Sequence, residues 1–546
     1  MKDVMVPKGW RVATIMDVAA SSGGGTPSKS DPSYWDDGTI PWVSPKDMKS
    51  FLVTSSEDSV TAKALDRLTL IPSESVLVVV RSGILSRTLP VSINKTPVTV
   101  NQDMRAFVPA SGVDARYIAW QLVSKERDIL DRCAKDGTTV ASIEGPALAS
   151  YPIAIAPLKE QTRIVEKLEE LLSDLDAGVA ELRAAQRKLA QYRQSLLKAA
   201  VEGALTADWR AARHRSEKLP RSSSRRKPGS SVFATYESES LDPGFHRDDG
   251  NSETGADLLQ RILTERRTRW ETRQLAKFAE QGKTPPKEWK AKYPEPVEPD
   301  ITNLPALPGG WVWATIDQIA HVGTGVTPLR SKRTYFDGGD IPWTTSGALN
   351  DELVTSATEY VAQLAMDECR LEMYPTGSLL VAMYGEGKTR GKCAELAFSS
   401  TINQAIAAIV FEKSAITVRP HVKTVLLDAY EAMRKQASGG VQPNLNLQIV
   451  KALAVPLPSL PEQAEIAITL NAALAAVKDQ QVAIEIALNQ SAAQRKNILK
   501  AAFAGQLVPQ DPNDEPASVL LERIRAERAT GGASASKRGR KVKEAI

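Results

Sequence analysis

The feature that most constrains the fold is a proline-free stretch from Leu158 to Leu205, in which apolar or small residues recur at alternating steps of three and four. The predicted seam positions are Leu168, Leu171, Leu175, Gly178, Leu182, Ala185, Leu189, Tyr192, Leu196 and Ala199. This spacing is typical of a coiled-coil helix. A helix of about 44 residues is roughly 65 Å long, which is more than one globular domain needs for itself. The stretch therefore predicts a long helix that packs against a partner.

The partner helix is predicted within the same chain, because residues 460–507 repeat the first stretch at an offset of 302. Glu160-Gln161 matches Glu462-Gln463, and Leu197–Ala200 matches Leu499–Ala502. The second seam holds Leu470, Val477, Ile484 and Ile498, and it is weaker because Gln480, Ser491 and Gln494 also occupy it. The repeat predicts an antiparallel pair with pseudo-two-fold symmetry. Two unrelated amphipathic helices are the alternative, which the constant offset disfavours.

The repeat extends beyond the helices into the segments that precede them. Residues 7–42 match residues 308–343 at an offset of 301, with Ile40-Pro41-Trp42 on Ile341-Pro342-Trp343. Asn101-Gln102 then matches Asn403-Gln404 at an offset of 302. Two pairs of intervening segments share almost nothing, namely 43–70 with 344–372 and 84–99 with 386–401. One scaffold with divergent insertions is the pattern expected of two recognition modules with different targets.

Each copy predicts a mixed α/β globule of about 155 residues, which fits the usual domain size. Buried strands are predicted at Val76–Arg81 and Ser378–Met383, helices at Ala115–Cys133 and His421–Gln436, and edge strands at Ile153–Pro157 and Val455–Pro458. The predicted domains are globules at 1–157 and 305–459, long helices at 158–205 and 460–507, a flexible linker at 206–304 with a charged helix at 257–281, and a short helix with a basic disordered tail at 508–546. Residues 284–308 hold seven prolines and predict an extended tether.

Composition limits the class of protein without naming it. A chain of 546 residues predicts several domains, and a net charge of +4 does not by itself indicate a nucleic-acid binder. Three cysteines argue against a disulfide framework and favour the reducing cytoplasm. Neither an apolar N-terminal region nor a run of about 18 apolar residues is present, so we expect no membrane association.

Catalytic motifs are weak. Gly385–Thr389 resembles the end of a phosphate-binding loop, but Ala382 stands where the first glycine is required and Arg390-Gly391-Lys392 continues as a loop. The four histidines are scattered, and neither CxxC nor HExxH occurs. We find neither a loop for S-adenosylmethionine nor the Asn/Asp-Pro-Pro-aromatic motif of adenine methyltransferases. The sequence predicts a non-catalytic chain with no metal site and no cofactor.

The duplicated globules and near-identical long helices resemble the specificity subunit of Type I restriction–modification systems. The motifs that carry the resemblance are the paired Trp10 and Trp311, the paired Ile-Pro-Trp and Asn-Gln, the Glu-Gln at the start of each long helix, and the Leu-Lys-Ala-Ala near its end. The resemblance implies two target recognition domains that each read half of a bipartite double-stranded DNA site. It also implies that the antiparallel coiled-coil-like helices set the gap and dock two modification subunits. S-adenosylmethionine, ATP and Mg would belong to the modification subunits and to the restriction (translocase and endonuclease) subunits.

Basic and polar side chains in the divergent segments are the candidates for DNA contact, because Lys and Arg bind phosphates and forked donors or acceptors distinguish base edges. The candidates in the first half are Ser44, Lys46, Arg81, Arg87 and Lys95. Those in the second half are Arg330, Lys332, Arg333, Thr344, Thr345, Ser346, Tyr384, Lys388, Arg390 and Lys392. For any single one of these residues an ordinary solvated surface position is the favoured interpretation, and the prediction of DNA contact rests on the clusters. Trp10, Trp42, Trp311 and Trp343 lie in the matched scaffold, which favours core packing over stacking on bases.

A second function remains open from the sequence, namely a structural adaptor whose globules bridge two protein partners without contacting DNA. Divergent basic loops on a duplicated scaffold favour DNA recognition. The two short charged helices, at 257–281 and 515–530, are compatible with packing on partner subunits or with extension of the central helices.

Overall fold

The computed structural model describes residues 6–135, 140–218, 253–384, 389–436 and 445–543. They form two compact units, Met1–Ala185 with Ala483–Ile546, and Gln186–Val482. Each unit therefore holds one globule and parts of both long helices. Residues 219–252 of the predicted linker, and the predicted glycine turns at Gly137 and Gly439-Gly440, lie outside the described residues.

The first globule contains three small sheets and four helices. Its strands are β1 (Arg11–Thr14), β2 (Ala19–Gly23), β3 (Ile40–Val43), β4 (Leu52–Val53), β5 (Asp58–Val60), β6 (Val76–Val79), β7 (Val91–Asn94), β8 (Thr99–Val100), β9 (Met104–Pro109) and β10 (Pro152–Ile155). Its helices are α1 (Ile15–Val18), α2 (Ala115–Ser124), α3 (Glu126–Cys133) and α4 (Gly145–Ala149). The strand orders are β2-β9-β6-β7-β4, β5-β3-β8 and β1-β10.

Three helices follow the first globule. They are α5 (Leu158–Val201), α6 (Ala207–Lys218) and α7 (Gly255–Glu280). Helix α7 lies close to its predicted bounds, whereas α6 occupies the start of the segment that the sequence analysis predicted as a flexible linker. That prediction was wrong for residues 207–218, because Ala, Arg and Lys are strong helix formers and no proline interrupts them.

The second globule repeats the first strand for strand. Its strands are β11 (Val312–Thr315), β12 (His321–Thr324), β13 (Ile341–Thr344), β14 (Leu353–Val354), β15 (Glu359–Val361), β16 (Leu379–Ala382), β17 (Cys393–Leu396), β18 (Thr401–Ile402), β19 (Ile406–Val410) and β20 (Ala454–Leu457). Its helices are α8 (Ile316–Ile319), α9 (Gln363–Cys369), α10 (Arg419–Asp428), α11 (Tyr430–Gln436) and α12 (Leu447–Lys451). The orders β12-β19-β16-β17-β14, β15-β13-β18 and β11-β20 reproduce those of the first globule and confirm the duplicated mixed α/β fold.

Local predictions inside the globules were right for strands and partly wrong for helices. Strands β6 and β16 are buried along their whole length, as their continuous apolar runs predicted. The helix predicted over Ala115–Cys133 is two helices that meet at Lys125, and the helix predicted over His421–Gln436 is likewise divided at Ala429. At the first break the Ser124 hydroxyl donates to the Gln121 carbonyl, a local bond that competes with regular helix.

The long helices α5 and α13 (Leu460–Phe503) each contain 44 residues, and they pair within each unit. The core cluster of the first unit joins Ile164, Val165, Leu168 and Leu172 of α5 to Leu499 and Ala502 of α13 and to Trp10. The corresponding cluster of the second unit joins Leu196, Leu197 and Ala200 of α5 to Ile466, Leu470 and Val477 of α13 and to Trp311. The start of each helix thus packs on the end of the other, which is the predicted antiparallel arrangement.

Burial along the seam is concentrated at the helix ends. Leu168, Leu196, Leu470 and Val477 are buried, whereas Leu171, Leu175, Leu182, Leu189, Ile484 and Ile498 are only half-buried. Tyr192 is 51% exposed, so its placement in the seam was wrong. A straight helix of 3.6 residues per turn drifts by about 20° per heptad from a strict seven-residue repeat, which carries such positions away from the interface.

The two short helices pack on the globules. In the second unit Leu258, Leu259 and Ile262 of α7 enter the globule core. In the first unit the last helix, α14 (Ala517–Lys543), contributes Leu520, Leu521 and Ile524 in the same way. The first turn of each helix makes an equivalent backbone hydrogen bond to its globule. The Gly255 amide donates to the Gly310 carbonyl at 2.8 Å, and the Ala517 amide donates to the Gly9 carbonyl at 2.9 Å. Helix α14 continues through residues 531–543, within the segment that was predicted to be a disordered tail.

The proline-rich segment 284–308 contains no strand or α-helix, as predicted, apart from a 3₁₀ turn at Trp289–Lys292. Trp289 stacks on Trp270 of α7, with ring centroids 5.8 Å apart. None of the helices in the described ranges combines the length and the apolar composition that crossing a bilayer requires.

We expect the free energy of unfolding of the second unit to fall as the pH is lowered from about 6.5 to about 4. His421 is 3% exposed, and its Nε2 donates to the Pro456 carbonyl at 2.7 Å. Burial lowers the pKa of His421 to about 4, so only the unfolded chain binds a proton in this interval. The loss amounts to about 3 kcal/mol, at about 1.4 kcal/mol per pKa unit.

Urea denaturation at several pH values checks this expectation. His421→Gln keeps a donor for the Pro456 carbonyl and removes the titrating group, so its stability should depend less on pH than that of the wild type. His321→Gln, at an exposed position of the same unit, is the matched control and should follow the wild type. Equal pH dependence in all three proteins would contradict the assignment.

Candidate nucleic-acid interface

The paired Asn-Gln residues form a turn where the strands of two sheets end. In the first globule Asn101 follows β8 and precedes β9, and its amide donates to the Val43 carbonyl at the end of β3. Asn403 makes the same bond to Thr344 at 3.1 Å. The Asn101 and Asn403 side-chain oxygens each accept from the amide two residues later, at 3.0 and 3.2 Å. The asparagines thus fold the turn.

The glutamine of each turn, Gln102 or Gln404, is exposed. Its amide group carries a donor and an acceptor side by side, which is the pattern that fits an adenine edge in the major groove. The Gln102 side-chain oxygen also accepts a hydrogen bond from the Thr26 hydroxyl. Neither glutamine was among the residues that the sequence analysis selected, because both lie in the matched scaffold. Their duplication on an otherwise divergent background was the signal that pointed to them.

A glycine loop lies against each Asn-Gln turn. A Cβ atom on Gly24 would stand 2.1 Å from the Val100 carbonyl oxygen, and one on Gly325 would stand 1.6 Å from the Ile402 carbonyl oxygen. A buried tryptophan also binds each glycine loop. The Trp42 indole donates to the Gly25 carbonyl at 3.0 Å, and the Trp343 indole donates to the Val326 carbonyl at 3.3 Å. These two tryptophans are buried, as are Trp10 and Trp311, which confirms the core packing predicted for all four.

We call the neighbouring end of each five-stranded sheet the strand-end edge. It is the end at which β6 finishes and β9 begins in the first globule, and at which β16 finishes and β19 begins in the second. Arg81 lies there two residues after the end of β6, and its Nε donates to Asp103 at 2.6 Å. Arg105 lies opposite Val78 at the start of β9.

Several predicted DNA-contacting residues fall on this edge. Arg87 lies exposed between β6 and β7, and Tyr384, Arg390 and Lys392 lie between β16 and β17. Lys392 donates to the Asn350 side chain at 2.8 Å. Lys388 and the rest of the loop that resembles a phosphate-binding motif, Gly385–Gly387, lie outside the described residues. Hence the structure brings Arg81 and Arg87 together on one globule, and Tyr384, Arg390 and Lys392 at the same edge of the other.

Other candidates follow the small sheets, and their hydroxyl groups serve the fold. The Ser44 hydroxyl donates to Asp47 at 2.9 Å, and the buried Thr344 hydroxyl shares a hydrogen bond with Ser400 at 2.9 Å. Ser44 and Thr344 are 6% and 0% exposed. Thr345 bonds Thr358, whereas Ser346 is half-buried at the start of a 3₁₀ turn. The hydroxyls of Ser44 and Thr344 are therefore committed inside the protein.

Most of the candidate cations are already paired with carboxylates. Lys46 lies 3.0 Å from Asp58 and 3.1 Å from Glu57, and the hydrogen bonds that it donates to these two carboxylates raise its pKa. Lys95 pairs with Glu74 at 2.6 Å, at the end of the five-stranded sheet opposite to the strand-end edge. Such pairs at the surface contribute little stability, so DNA phosphates can compete with them.

The second globule holds a more ordered cluster around Trp343. Arg330 donates two hydrogen bonds to Glu359, at 2.5 and 2.7 Å, and lies 5.2 Å from the centre of the Trp343 ring. Lys332 pairs with Glu368 and lies 4.2 Å from the centre of the Tyr335 ring. Arg333 is exposed and makes no ion pair with any described residue. Among these three cations, only Arg333 is uncommitted.

Arg105 was missed by the sequence analysis. It lies within a strand that matches β19, and the equivalent residue of the second globule is the buried Ala407. A charge at a position that is apolar in the other copy was the available signal. The described part of the chain contains no group of three or more His, Cys, Asp or Glu residues that is placed to hold a metal ion.

Comparison with known proteins assigns the family. Residues 7–181 and 308–487, one segment from each repeat, match the model of the Type I restriction modification DNA specificity domain. These segments make up most of the chain, and the protein therefore belongs to this family.

Individual relatives agree with the family assignment. Over 189 residues the chain is 40% identical to the specificity subunit of the type I restriction enzyme EcoR124I/EcoR124II of Escherichia coli. That match covers 34% of this chain and 47% of the relative, so it spans about half of the relative's length. The EcoDI specificity subunit of Escherichia coli is 23% identical over 441 residues, which cover 78% of this chain and 80% of that subunit.

A solved structure shares the fold. It comes from a study of complex assembly and conformational transition of the type I R-M system, and it aligns over 92% of this chain and 99% of its own with a TM-score of 0.59 at 15% identity.

We expect Gly24→Ala and Gly325→Ala to destabilise the two units by about 1–3 kcal/mol each, because the new methyl groups would overlap backbone carbonyl oxygens that cannot move freely. Urea denaturation measures the effect. Gly83→Ala is the matched control, since a Cβ atom on Gly83 meets nothing within 4 Å. If all three variants were equally stable, the loops would not be held against the Asn-Gln turns as described.

Proposed function

We propose that this chain is the sequence-specific DNA-binding specificity subunit of a Type I restriction–modification complex. Each globule reads one half of a bipartite site in double-stranded DNA. One observation supports the proposal most strongly. Both globules present an exposed glutamine on the same Asn-Gln turn, and the side chains on the neighbouring strand-end edge differ between the two globules.

The chemistry of the two edges suits base recognition. The first edge offers Arg81, Arg87 and Arg105, and the second offers Tyr384, Arg390 and Lys392. Guanidinium groups donate in a fixed fork that fits the O6 and N7 atoms of guanine, and the ammonium group of lysine binds a phosphate as a point charge. Two edges with different donors on one scaffold should therefore prefer different base sequences.

The long helices have a separate role in this proposal. They fix the gap between the two half-sites and dock two modification subunits, and restriction subunits join the larger complex. S-adenosylmethionine, ATP and Mg are used by those partners, while this chain supplies recognition and no catalytic group. We place the complex in the cytoplasm with the DNA that it reads, and we assign recognition to residues 1–157 and 305–459.

We expect co-expression with the adjacent modification subunit to produce adenine methylation at a bipartite motif, with two short specific blocks around a fixed gap. Two recognition modules on one rigid connection require this result. Genome-wide mapping of methylated adenine measures it. A complex that forms without any bipartite motif would contradict DNA recognition by the two globules and favour the adaptor that bridges two proteins.

We also expect removal of one heptad from both long helices to shorten the gap and leave both blocks unchanged. The pair Arg495–Asp176, 2.6 Å apart, sets the register, by which residues 179–185 lie opposite residues 486–492. Deleting both segments removes about 10 Å of helix, equivalent to about three base pairs of duplex. Methylation mapping of this variant reports the gap.

Deletion of residues 179–185 alone is the control, because it leaves the two helices unequal in length and should abolish methylation. A paired deletion that retained the original gap would show that the helices do not set the spacing.

A further inference from the structure

Among the arginines that the structure describes, two have a buried side-chain nitrogen that lacks a hydrogen-bond partner. The Nε atoms of Arg105 and Arg390 are buried, and neither has a hydrogen-bond partner. One lies in each unit, and both lie on the strand-end edge. Neither side chain forms an ion pair with any described residue. In contrast, Arg81 and Arg330 are each neutralised by a carboxylate.

The guanidinium group of Arg105 packs closely against two glycines. A Cβ atom on Gly145 would lie 2.7 Å from its Nη2 atom, and one on Gly23 would lie 3.3 Å from its Nη1 atom. The group therefore lies between the end of β2 and the start of α4, where a side chain at either glycine would crowd it. Asp103, the nearest acidic residue along the strand, is already bonded to Arg81.

Arg390 lies at the corresponding edge of the second globule, in the turn that joins β16 to β17. The turn is fixed by backbone bonds, since the Gly391 amide donates to the Ala382 carbonyl at 2.8 Å and the Ala382 amide donates to the Lys392 carbonyl at 3.0 Å. Arg390 itself is half-buried. The two globules thus place a comparable group at the same edge, although the arginines come from different positions in the alignment.

The Nε atom of each arginine is costly where it lies, because it has left water without replacing the lost hydrogen bond to any described residue. The other guanidinium nitrogens also bond no described residue, so they are available to a ligand. The ligand must offer acceptor atoms to a planar fork, and DNA offers two kinds, the guanine edge and the phosphate oxygens. Close packing on both sides limits the orientations of the Arg105 guanidinium group, and this favours the base edge, since base recognition depends on orientation and a phosphate accepts donors from many directions.

We propose that Arg105 and Arg390 are specificity-determining residues, each of which reads a guanine in one half-site. This inference rests on the proposed function and adds to it the identity of the side chains. A good bidentate contact distinguishes the right base from the wrong one by roughly 5- to 150-fold. Each arginine should therefore set the preference for one base pair in one block.

The experiment maps methylated adenines for wild type, Arg105→Ala and Arg390→Ala, each co-expressed with the modification subunit. We expect Arg105→Ala to relax one position within one block by at least about 5-fold, with the other block unchanged. Arg390→Ala should do the same in the other block. Lys8→Ala is the control, because it removes an exposed cation of the same unit that precedes β1 and lies outside the strand-end edge, and its motif should stay that of the wild type.

Gly145→Ala tests whether base preference depends on the position of the Arg105 guanidinium group and not only on its charge. The added methyl group should displace the Arg105 guanidinium, which is the flexible end of a side chain, and should cost little stability. We therefore expect Gly145→Ala to relax the same base position as Arg105→Ala although the arginine is still present. Gly83→Ala, on the same edge with open space around it, should leave the motif unchanged.

The outcomes separate this inference from the function on which it rests. A bipartite wild-type motif that Arg105→Ala and Arg390→Ala leave intact would overturn the inference and retain the function. Methylation that weakens equally at all sites, with a lower dependence on salt, would also overturn it and assign the arginines to phosphates. A wild-type protein without a bipartite motif would overturn both.

Discussion

The structure depends on the packing of each globule against both long helices. Trp10 lies in a cluster with the start of α5 and the end of α13, and Trp311 lies in a cluster with the start of α13 and the end of α5. Neither helix is buried along its middle to the same extent. The long helices are therefore fixed chiefly where a globule covers them, and a globule that lost its tryptophan would lose its hold on two helices at once.

The repeat made much of the fold predictable from the sequence, because one offset carried every inference from one half to the other. Paired strands, long helices and buried tryptophans were found in this way. The helix breaks at Lys125 and Ala429 were not predicted. At Lys125 the break is accompanied by a side-chain bond from Ser124 to the preceding turn, which leaves no periodic trace in the sequence. Likewise, Tyr192 satisfied the heptad spacing but lies outside the interface that the real helix geometry produces.

The candidate site was less predictable, because charge alone does not reveal a partner. Lys46 and Arg330 resemble free surface cations in the sequence, yet each is paired with a carboxylate more than ten residues away. Ser44 and Thr344 follow a strand at a promising place but bond inward. Arg105 lies in the matched scaffold, and only the structure shows that its Nε is buried without a hydrogen-bond partner. The sequence does not show which residues surround a polar group in the folded protein. Those neighbours decide whether the group is free to contact DNA.

The last helix makes the core of the first globule depend on a distant part of the chain. Helix α14 contributes Leu520, Leu521 and Ile524 to the core of the first globule, although some 350 residues separate it from that globule's last strand. If two related genes recombined within the long helices and exchanged only the first globule, the hybrid would inherit α14 from the other parent. The apolar face of α14 must then fit a core with which it did not evolve. New combinations of globules are thus limited by a contact outside the strand-end edge, and a compatible pairing depends on both ends of the chain.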